Sequence, residues 1–351
     1  MSVPHVNALQ SAIQKLAYRE PLSADDAQAA FDVVMQGQAT AVQVAALLAA
    51  LRATGESPDV VAGVVRALRA AMVPLSADDP EGLVDTCGTG GGAVSTFNIS
   101  TAAAIVAAGA GVRIAKHGNR SFTSRCGSAD VLEALGVPIE VPVAVMEASL
   151  RDVGLAFMFA PLMHPAMRHV GAVRRELAIP TVMNIVGPLA NPARAGRQVV
   201  GVSDRDRGPI LAGALATLGS KHALVVHGEP GLDEVSPLGL THVIEVLEGS
   251  TRQWTIDPEQ HGFKKIARED LAGSEPAENA RIILEILDGG GPAGARAAII
   301  LNAAAAVYVS GRVESYQEGV DAATKSIDSG GAKSVLERLK AAYAKPLKAR
   351  A

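Results

Sequence analysis

Residues 85–101, DTCGTGGGAVSTFNIST, constrain the fold more than any other stretch, because they set a glycine-dense turn between an apolar run and an alanine-rich helix former. Gly82, Leu83 and Val84 read as the close of a short buried strand, and positions 88–92 then hold four glycines and one threonine. Such a loop reaches positive φ without strain and brings backbone N–H groups against an anion with no Cβ in the way. From Ser100 the run STAAAIVAA predicts a helix whose amide end points back at the loop, where Asn98, Ser100 and Thr101 add neutral donors. The stretch lacks the Lys-Ser or Lys-Thr of a Walker loop, and Gly88, Gly90 and Ala93 match the dinucleotide fingerprint only in relaxed spacing. Taken alone it also fits a surface turn.

The next segment weighs against the turn. After the mostly apolar run 112–115 comes KHGNRSFTS, residues 116–124, so a second strand, polar loop and helix follow directly on the first. In open α/β sheets ligands sit at the carboxyl ends of strands, and the two loops are expected to converge on one crevice. Lys116 and Arg120 can neutralise phosphate, while Asn119, Ser121, Thr123 and Ser124 can hydrogen-bond it or a sugar hydroxyl. A third apolar run, 223–226, leads into HGEPGLDEVS, residues 227–236, which sets Asp233 beside Glu234. Paired carboxylates suit Mg²⁺, commonly held by one or two carboxylates together with substrate phosphates.

The first 75 residues read as helices alone. Ser23 precedes Ala-Asp-Asp, Thr40 opens a T-x-x-Q capping box with Gln43, and Ser57-Pro58 gives a cap followed by proline at the first helical position. Gly37 and Gly55 are natural stops, and Val44, Leu47, Leu48 and Leu51 line one helix face as Val61, Val64, Val65 and Leu68 line the next. Near residue 80 the pattern changes to short β-branched runs alternating with alanine-rich helices, which makes 73–80 a linker. The 351 residues are 48% hydrophobic but only 3% aromatic, so the core is expected to be Ala, Val, Leu and Ile. A net charge of −4 weighs against a nucleic-acid surface. Cys87 and Cys126 are too few for a disulfide framework and read as reduced thiols. No signal pattern or apolar span of about 18 residues appears, so no membrane association and a cytoplasmic location are expected.

GTGG followed by TFNIST, KHGNR followed by GSAD, FAPLMHPAMRHVGAVRREL (159–177), NIVGPLANP (184–192) and HGEPGLDEVS together closely resemble the anthranilate phosphoribosyltransferase family. The resemblance runs from the N-terminal helices to ILNAAAAVYVSG (300–311). It implies an α/β fold in which a small all-helical N-terminal domain accompanies a larger domain with a mostly parallel central sheet and flanking helices. The helical domain would be 1–75 with a contribution from about 164–185, and the α/β domain 81–345. The implied reaction moves a phosphoribosyl group from phosphoribosyl pyrophosphate to the amine of anthranilate, a step of tryptophan biosynthesis, in a homodimer joined through the helical domain.

Matching positions imply that Gly88, Gly91, Gly92, Thr96, Asn98, Ile99, Ser100, Thr101, Lys116, His117, Gly118, Asn119, Arg120, Ser121, Phe122, Thr123, Ser124 and Ser128 hold phosphoribosyl pyrophosphate. Ser100, Asp233 and Glu234 match the Mg²⁺ ligands. Arg174 matches the clamp on the anthranilate carboxylate, with Gly88, Asn119, His164 and Pro188 beside the acceptor. His117 and His164 are the candidate catalytic groups, able to accept the amine's proton; each also fits a structural histidine.

Three departures stand out. The family usually reads GTGGD where Gly92 stands here, a basic residue is common at the position of Pro180, and SFTSRC differs from the usual serine-rich run. The first predicts an altered dependence on magnesium. Two other readings share the architecture: a pyrimidine nucleoside phosphorylase-like enzyme, whose lysine-serine-glycine-arginine signature is replaced by KHGNR, and a non-catalytic nucleic-acid-binding relative, which calls for a basic surface.

Overall fold

The computed structural model describes residues 7–92, 94, 96–121, 125–264 and 266–344. It opens on four helices, α1 (Ala8–Ala17), α2 (Ala24–Met35), α3 (Ala41–Thr54) and α4 (Pro58–Ala71). Their starts follow from side-chain chemistry: the Ser23, Thr40 and Ser57 hydroxyls accept the N–H groups of Asp26, Gln43 and Val60. Gly37 and Gly55 end α2 and α3 at φ of 73° and 92°, a region that side chains disfavour. The two apolar stripes read from spacing, Val44 to Leu51 and Val61 to Leu68, are buried.

Strands and helices then alternate: β1 (Val84–Gly88), α5 (Ile99–Gly109), β2 (Ile114–Gly118), α6 (Ser128–Ala134), α7 (Val143–Asp152) and β3 (Leu155–Phe159). Three short helices, α8 (Ala160–Met163), α9 (Arg168–Leu177) and α10 (Met183–Val186), precede β4 (Arg197–Gly201), α11 (Gly208–Thr217) and β5 (His222–Gly228). A hairpin of β6 (Thr241–Leu247) and β7 (Ser250–Ile256) follows, and α12 (Pro276–Leu287), α13 (Ala293–Val309), α14 (Tyr316–Asp328) and α15 (Gly331–Ala344) complete the described chain. The strands form one sheet in the order β3-β2-β1-β4-β5-β6-β7. Pairing from β3 to β5 is parallel, and only β6 and β7 are antiparallel. At the β3 edge the Tyr343 hydroxyl of α15 accepts from the Phe157 N–H at 2.8 Å and donates to its carbonyl at 2.9 Å. That side chain takes up the ladder groups a stray strand would otherwise pair with.

Two apolar cores flank the sheet. On one face α5 and α13 bury Leu224 and Val226 of β5; on the other, Ala223 and Val225 join α11 and the N-terminal bundle in a single cluster. The period of two along β5 sorts these side chains between the faces. α9 packs on α2 and α3, and α10 on α4, so the 168–186 excursion lies against the bundle.

One element differs from its sequence reading. Lys116 and His117 were expected in the loop after the second strand, but both lie within β2, in register with Phe157 and Met158 of β3. The strand accommodates a lysine because its ammonium finds the Thr86 carbonyl and hydroxyl inside the protein.

The hairpin is fixed by a buried carboxylate. Glu245, 1% exposed, accepts from Arg252 Nε and Trp254 Nε1 at 2.8 and 2.7 Å and from the Tyr308 hydroxyl at 3.0 Å, and its Oε1 lies 2.8 Å from His222 Nε2. Removing the acceptor strands several donors at once. Glu245→Ala is expected to lower stability by about 3–5 kcal/mol in urea unfolding, and a loss below about 1 kcal/mol would show that water replaces the carboxylate.

Candidate active site

β1, β4 and β5 each end in glycine, and the acidic loop after β5 lies across those ends. A Cβ on Gly201 would come within 1.7 Å of the Asp233 carbonyl oxygen, and one on Gly88 within 2.5 Å of Asp233 Oδ2. The glycine-rich loop is tied to the acidic loop directly. Gly90 N donates to Asp233 Oδ2 at 2.8 Å, and Ser100 N, in the first turn of α5, donates to Glu234 Oε1 at 3.2 Å. Ser203 Oγ holds the Gly90 carbonyl at 2.9 Å, and Gly90 and Gly91 take φ of 71° and 78°. Lys116 Nζ reaches Ser100 Oγ at 3.3 Å.

Burial raises the Asp233 carboxyl above the usual carboxylate range, and burial together with the Asp233 charge raises Glu234. Burial lowers the Lys116 ammonium against the pull of Asp85. The Asp233 carboxylate also takes its own backbone N–H. Two half-buried carboxylates that destabilise each other, next to the Ser100 hydroxyl, are a hard-oxygen donor set that a divalent cation would relieve. No cluster of three or more His, Cys, Asp or Glu ligands occurs among the described residues. Gly92 borders the same spot: a Cβ there would meet Gly231 O at 3.1 Å and Asp233 Oδ1 at 3.3 Å.

The second loop meets the first through Asn98, whose Nδ2 donates to the Cys126 carbonyl at 3.1 Å while Asn279 donates to its Oδ1 at 3.1 Å. Asn119 O accepts from Ala129 N in α6, where Ser128 is the first residue, and Asn119 Oδ1 accepts from Arg120 N at 2.8 Å. Arg120 is engaged elsewhere: its guanidinium donates to Asp130 at 2.8 Å and to both oxygens of Glu133. Asp130 also accepts from the N–H groups of Ser121 and Gly127, pinching the loop at its neck. Ile99 is a core side chain whose N–H is spent on the Phe97 carbonyl at 2.7 Å. Thr96 bridges to Ala272, Thr101 Oγ1 is buried without a partner among the described residues, and a Cβ on Gly118 would meet the Phe157 ring at 2.6 Å. Phe122, Thr123 and Ser124 lie outside the described residues.

His117 and His164 face each other with ring centroids 4.9 Å apart. Each hydrogen-bonds a carbonyl, of Gly187 and Ala190 respectively, and the Nε2 of each is buried with no partner among the described residues. Burial lowers His117 to about 3, with the His164 ring and Lys116 adding to it, and burial lowers His164 to about 4. Both are neutral imidazoles at pH 7 and can accept a proton at Nε2. Pro188 O accepts from Cys87 Sγ and Gln198 Nε2, which fixes the 187–191 turn over β1 and β4. Arg174, in the last turn of α9, is half-buried with no ion pair among the described residues.

Asp85 and Asn191 were missed by the sequence reading. Buried Asp85 accepts from Asn191 Nδ2 at 2.7 Å and from His117 N at 3.1 Å, so β1 sets both β2 and the 187–195 turn. An aspartate opening the DTCGTGG run was the available signal. A separate open cavity of about 470 Å³, lined by His227, His242, Arg205 and neighbours beside α11, contains none of the candidate residues.

Residues 80–333 match the model of the glycosyl transferase family a/b domain, and residues 10–72 that of its helical bundle domain. The anthranilate phosphoribosyltransferase of Rubrobacter xylanophilus is 49% identical over 94% of this chain and 96% of its own. The chain belongs to the anthranilate phosphoribosyltransferase family. Among solved structures, the family member from Thermus thermophilus superposes with a TM-score of 0.90 at 41% identity, covering 95% of this chain and 99% of that one. The Saccharomyces cerevisiae enzyme in complex with PRPP and Mg gives a TM-score of 0.86 at 31% identity, over 95% of this chain and 97% of its own. Members of this anthranilate phosphoribosyltransferase family share the two-part architecture seen here, a helical bundle beside a larger α/β unit.

The histidine pair gives this fold an acid limit. His164 has an ordinary value of 6.5 in the unfolded chain and about 4 when folded, so between those values only the unfolded chain gains the proton. The stability is therefore full above pH 6.5 and is lost as pH falls toward 4, by about 1.4 kcal/mol per unit for one proton. His164→Gln is expected to flatten the fall of urea-unfolding stability between pH 6.5 and 5 by close to one proton; an unchanged slope would mean that the folded protein accepts the proton on His164.

Proposed function

We propose that this protein transfers the phosphoribosyl group of phosphoribosyl pyrophosphate to the amine of anthranilate, releasing pyrophosphate, in tryptophan biosynthesis. The observation that carries the reading is the direct bonding of the phosphate loop and the α5 N-terminus to the carboxylates of Asp233 and Glu234. In that arrangement a diphosphate and a cation would share one crevice. The relatives lend the substrates: one yeast structure is of a complex with PRPP and Mg, another of a complex with 4-fluoroanthranilate.

Departure of pyrophosphate leaves positive charge on the sugar and negative charge on the leaving oxygens, so holding those oxygens is the main catalytic task. The N–H groups of the 88–92 loop, the Ser100 and Thr101 hydroxyls, Lys116 and the loop from Asn119 with Ser128 would bind the substrate's phosphates and ribose. Ser100, Asp233 and Glu234 would hold Mg²⁺, which supplies charge neutralisation for the diphosphate. Arg174 would clamp the anthranilate carboxylate through its planar fork, beside Gly88, Asn119 and Pro188. The aromatic amine is neutral at pH 7 and attacks without prior deprotonation. The proton it sheds afterwards would pass to Nε2 of His117 or His164, both buried and without a partner.

We further take residues 1–75, with about 164–185, as the helical unit and 81–345 as the α/β unit, and assign a cytoplasmic homodimer joined through the helical unit. No described helix is long and apolar enough to cross a membrane. Neither the phosphorylase-like nor the nucleic-acid-binding alternative is favoured, since relatives covering nearly the whole chain carry the transferase name.

Loss of anthranilate fluorescence on adding protein, phosphoribosyl pyrophosphate and Mg²⁺ is the direct assay. Turnover that disappears in Asp233→Asn/Glu234→Gln is expected, and no turnover by the intact protein would sink the assignment. In the same assay Arg174→Ala should raise the KM for anthranilate more than that for phosphoribosyl pyrophosphate; equal changes would remove Arg174 from the acceptor site. Gly92→Asp would bring a third carboxylate against Asp233, and its activity profile against Mg²⁺ is expected to differ from that of the natural chain. Superimposable profiles would show that position 92 does not tune the metal.

A further inference from the structure

α13 is apolar over almost its whole length, and Asn302 interrupts it at its buried centre with 3% of its surface exposed. A polar side chain there needs partners, and it finds them on a distant loop. Asn302 Oδ1 accepts from Val235 N at 2.8 Å, and Nδ2 donates to the Val235 carbonyl at 2.8 Å and to the Ala298 carbonyl at 2.9 Å. The amide thus pairs with both backbone groups of one residue, as a neighbouring strand would. Val235 is fully buried, and its backbone has no other partner among the described residues.

Val235 directly follows Asp233 and Glu234. On their other side the loop is pinned by Leu232, whose N–H and carbonyl both engage Gly228. The two carboxylates therefore sit between a backbone anchor on β5 and a side-chain anchor on α13. The carboxylate ends meet the Gly90 and Ser100 N–H groups, and the backbone that carries them is held by these two anchors.

We infer that Asn302 is a positioning residue that clamps the acidic loop, keeping Asp233 and Glu234 aimed at the phosphate loop so that a magnesium diphosphate can bind between them. This rests on the metal assignment made above. Asn302 touches no substrate. Supporting groups behind metal ligands typically change metal affinity by about 10- to 100-fold when removed, which sets the expected size of the effect.

The test is calorimetric and needs no turnover. Phosphoribosyl pyrophosphate is titrated into the full-length protein at limiting and at saturating Mg²⁺, for the natural chain, Asn302→Ala, Asn302→Asp and Leu301→Ala. The clamp predicts that Asn302→Ala weakens binding about tenfold at limiting Mg²⁺ and recovers most of it at saturation. Leu301→Ala, a core truncation on the same helix, should lower the melting temperature without moving the Mg²⁺ requirement. If Asn302→Ala does not fold, the near-isosteric Asn302→Asp decides: it keeps the acceptor for Val235 N, loses the amide donor, and is expected to raise the Mg²⁺ requirement despite its added negative charge. Unchanged Mg²⁺ dependence in the Asn302 variants, or an equal shift in Leu301→Ala, would overturn the clamp alone. Binding by the natural chain that ignores Mg²⁺ altogether would overturn both the clamp and the metal assignment.

Discussion

The site depends on how closely an acidic loop can approach the ends of parallel strands. At Gly201 and Gly88 the Asp233 backbone and carboxylate come nearer than any Cβ would allow. A side chain at either strand end would lift the loop and separate Asp233 from the Gly90 N–H. The contact also explains why the glycine-rich segment folds as it does: its N–H groups turn inward because a carboxylate waits there, and the positive φ of Gly90 and Gly91 follows from that turn.

Charge is the second constraint. Asp85, Lys116, Glu234 and Asp233 lie within one buried neighbourhood, and each is pulled away from its ordinary protonation range by lost hydration. Asp85 and Lys116 offset one another, and Asn191 and the His117 N–H complete the solvation of Asp85. The acidic pair is less well compensated: Asp233 takes the Gly90 N–H, and Glu234 takes the Ser100 N–H and the field of Lys116, yet burial still raises both carboxyls. An anionic ligand there would need its charge neutralised against these carboxylates, which is the physical basis of the metal proposal.

Much of this was legible in the sequence because it is local. Caps at Ser23, Thr40 and Ser57, apolar stripes on α3 and α4, and the strand, loop and helix order after residue 80 all depend on residues within one or two turns of each other. The family was legible through motifs. What escaped is long-range. Lys116 and His117 were read as loop because lysine and histidine rarely sit mid-strand, and the Lys116 ammonium is tolerated there through the Thr86 carbonyl and hydroxyl, Ser100 Oγ and the Asp85 charge, none of them adjacent in sequence. Arg120 was read as free to meet phosphate, whereas the α6 carboxylates Asp130 and Glu133 hold it. Asn302 and Val235 are far apart in the chain, and no periodicity links them; an isolated amide in an apolar helix was the one visible sign.

The histidine pair closes the argument because it sits where the two cores meet. His117 extends from β2 of the sheet, and His164 stands at the start of the excursion that carries α9 and α10 onto the helical bundle. Their hydrogen bonds to the Gly187 and Ala190 carbonyls fix both rings to the returning turn, so a shift of the bundle against the sheet would change the angle between them. A neutral imidazole with a free Nε2 is useful only if it is dry and aimed. Burial supplies the first condition and the two-part architecture supplies the second, which ties the geometry of this pair to the packing of the helical bundle as well as to the sheet.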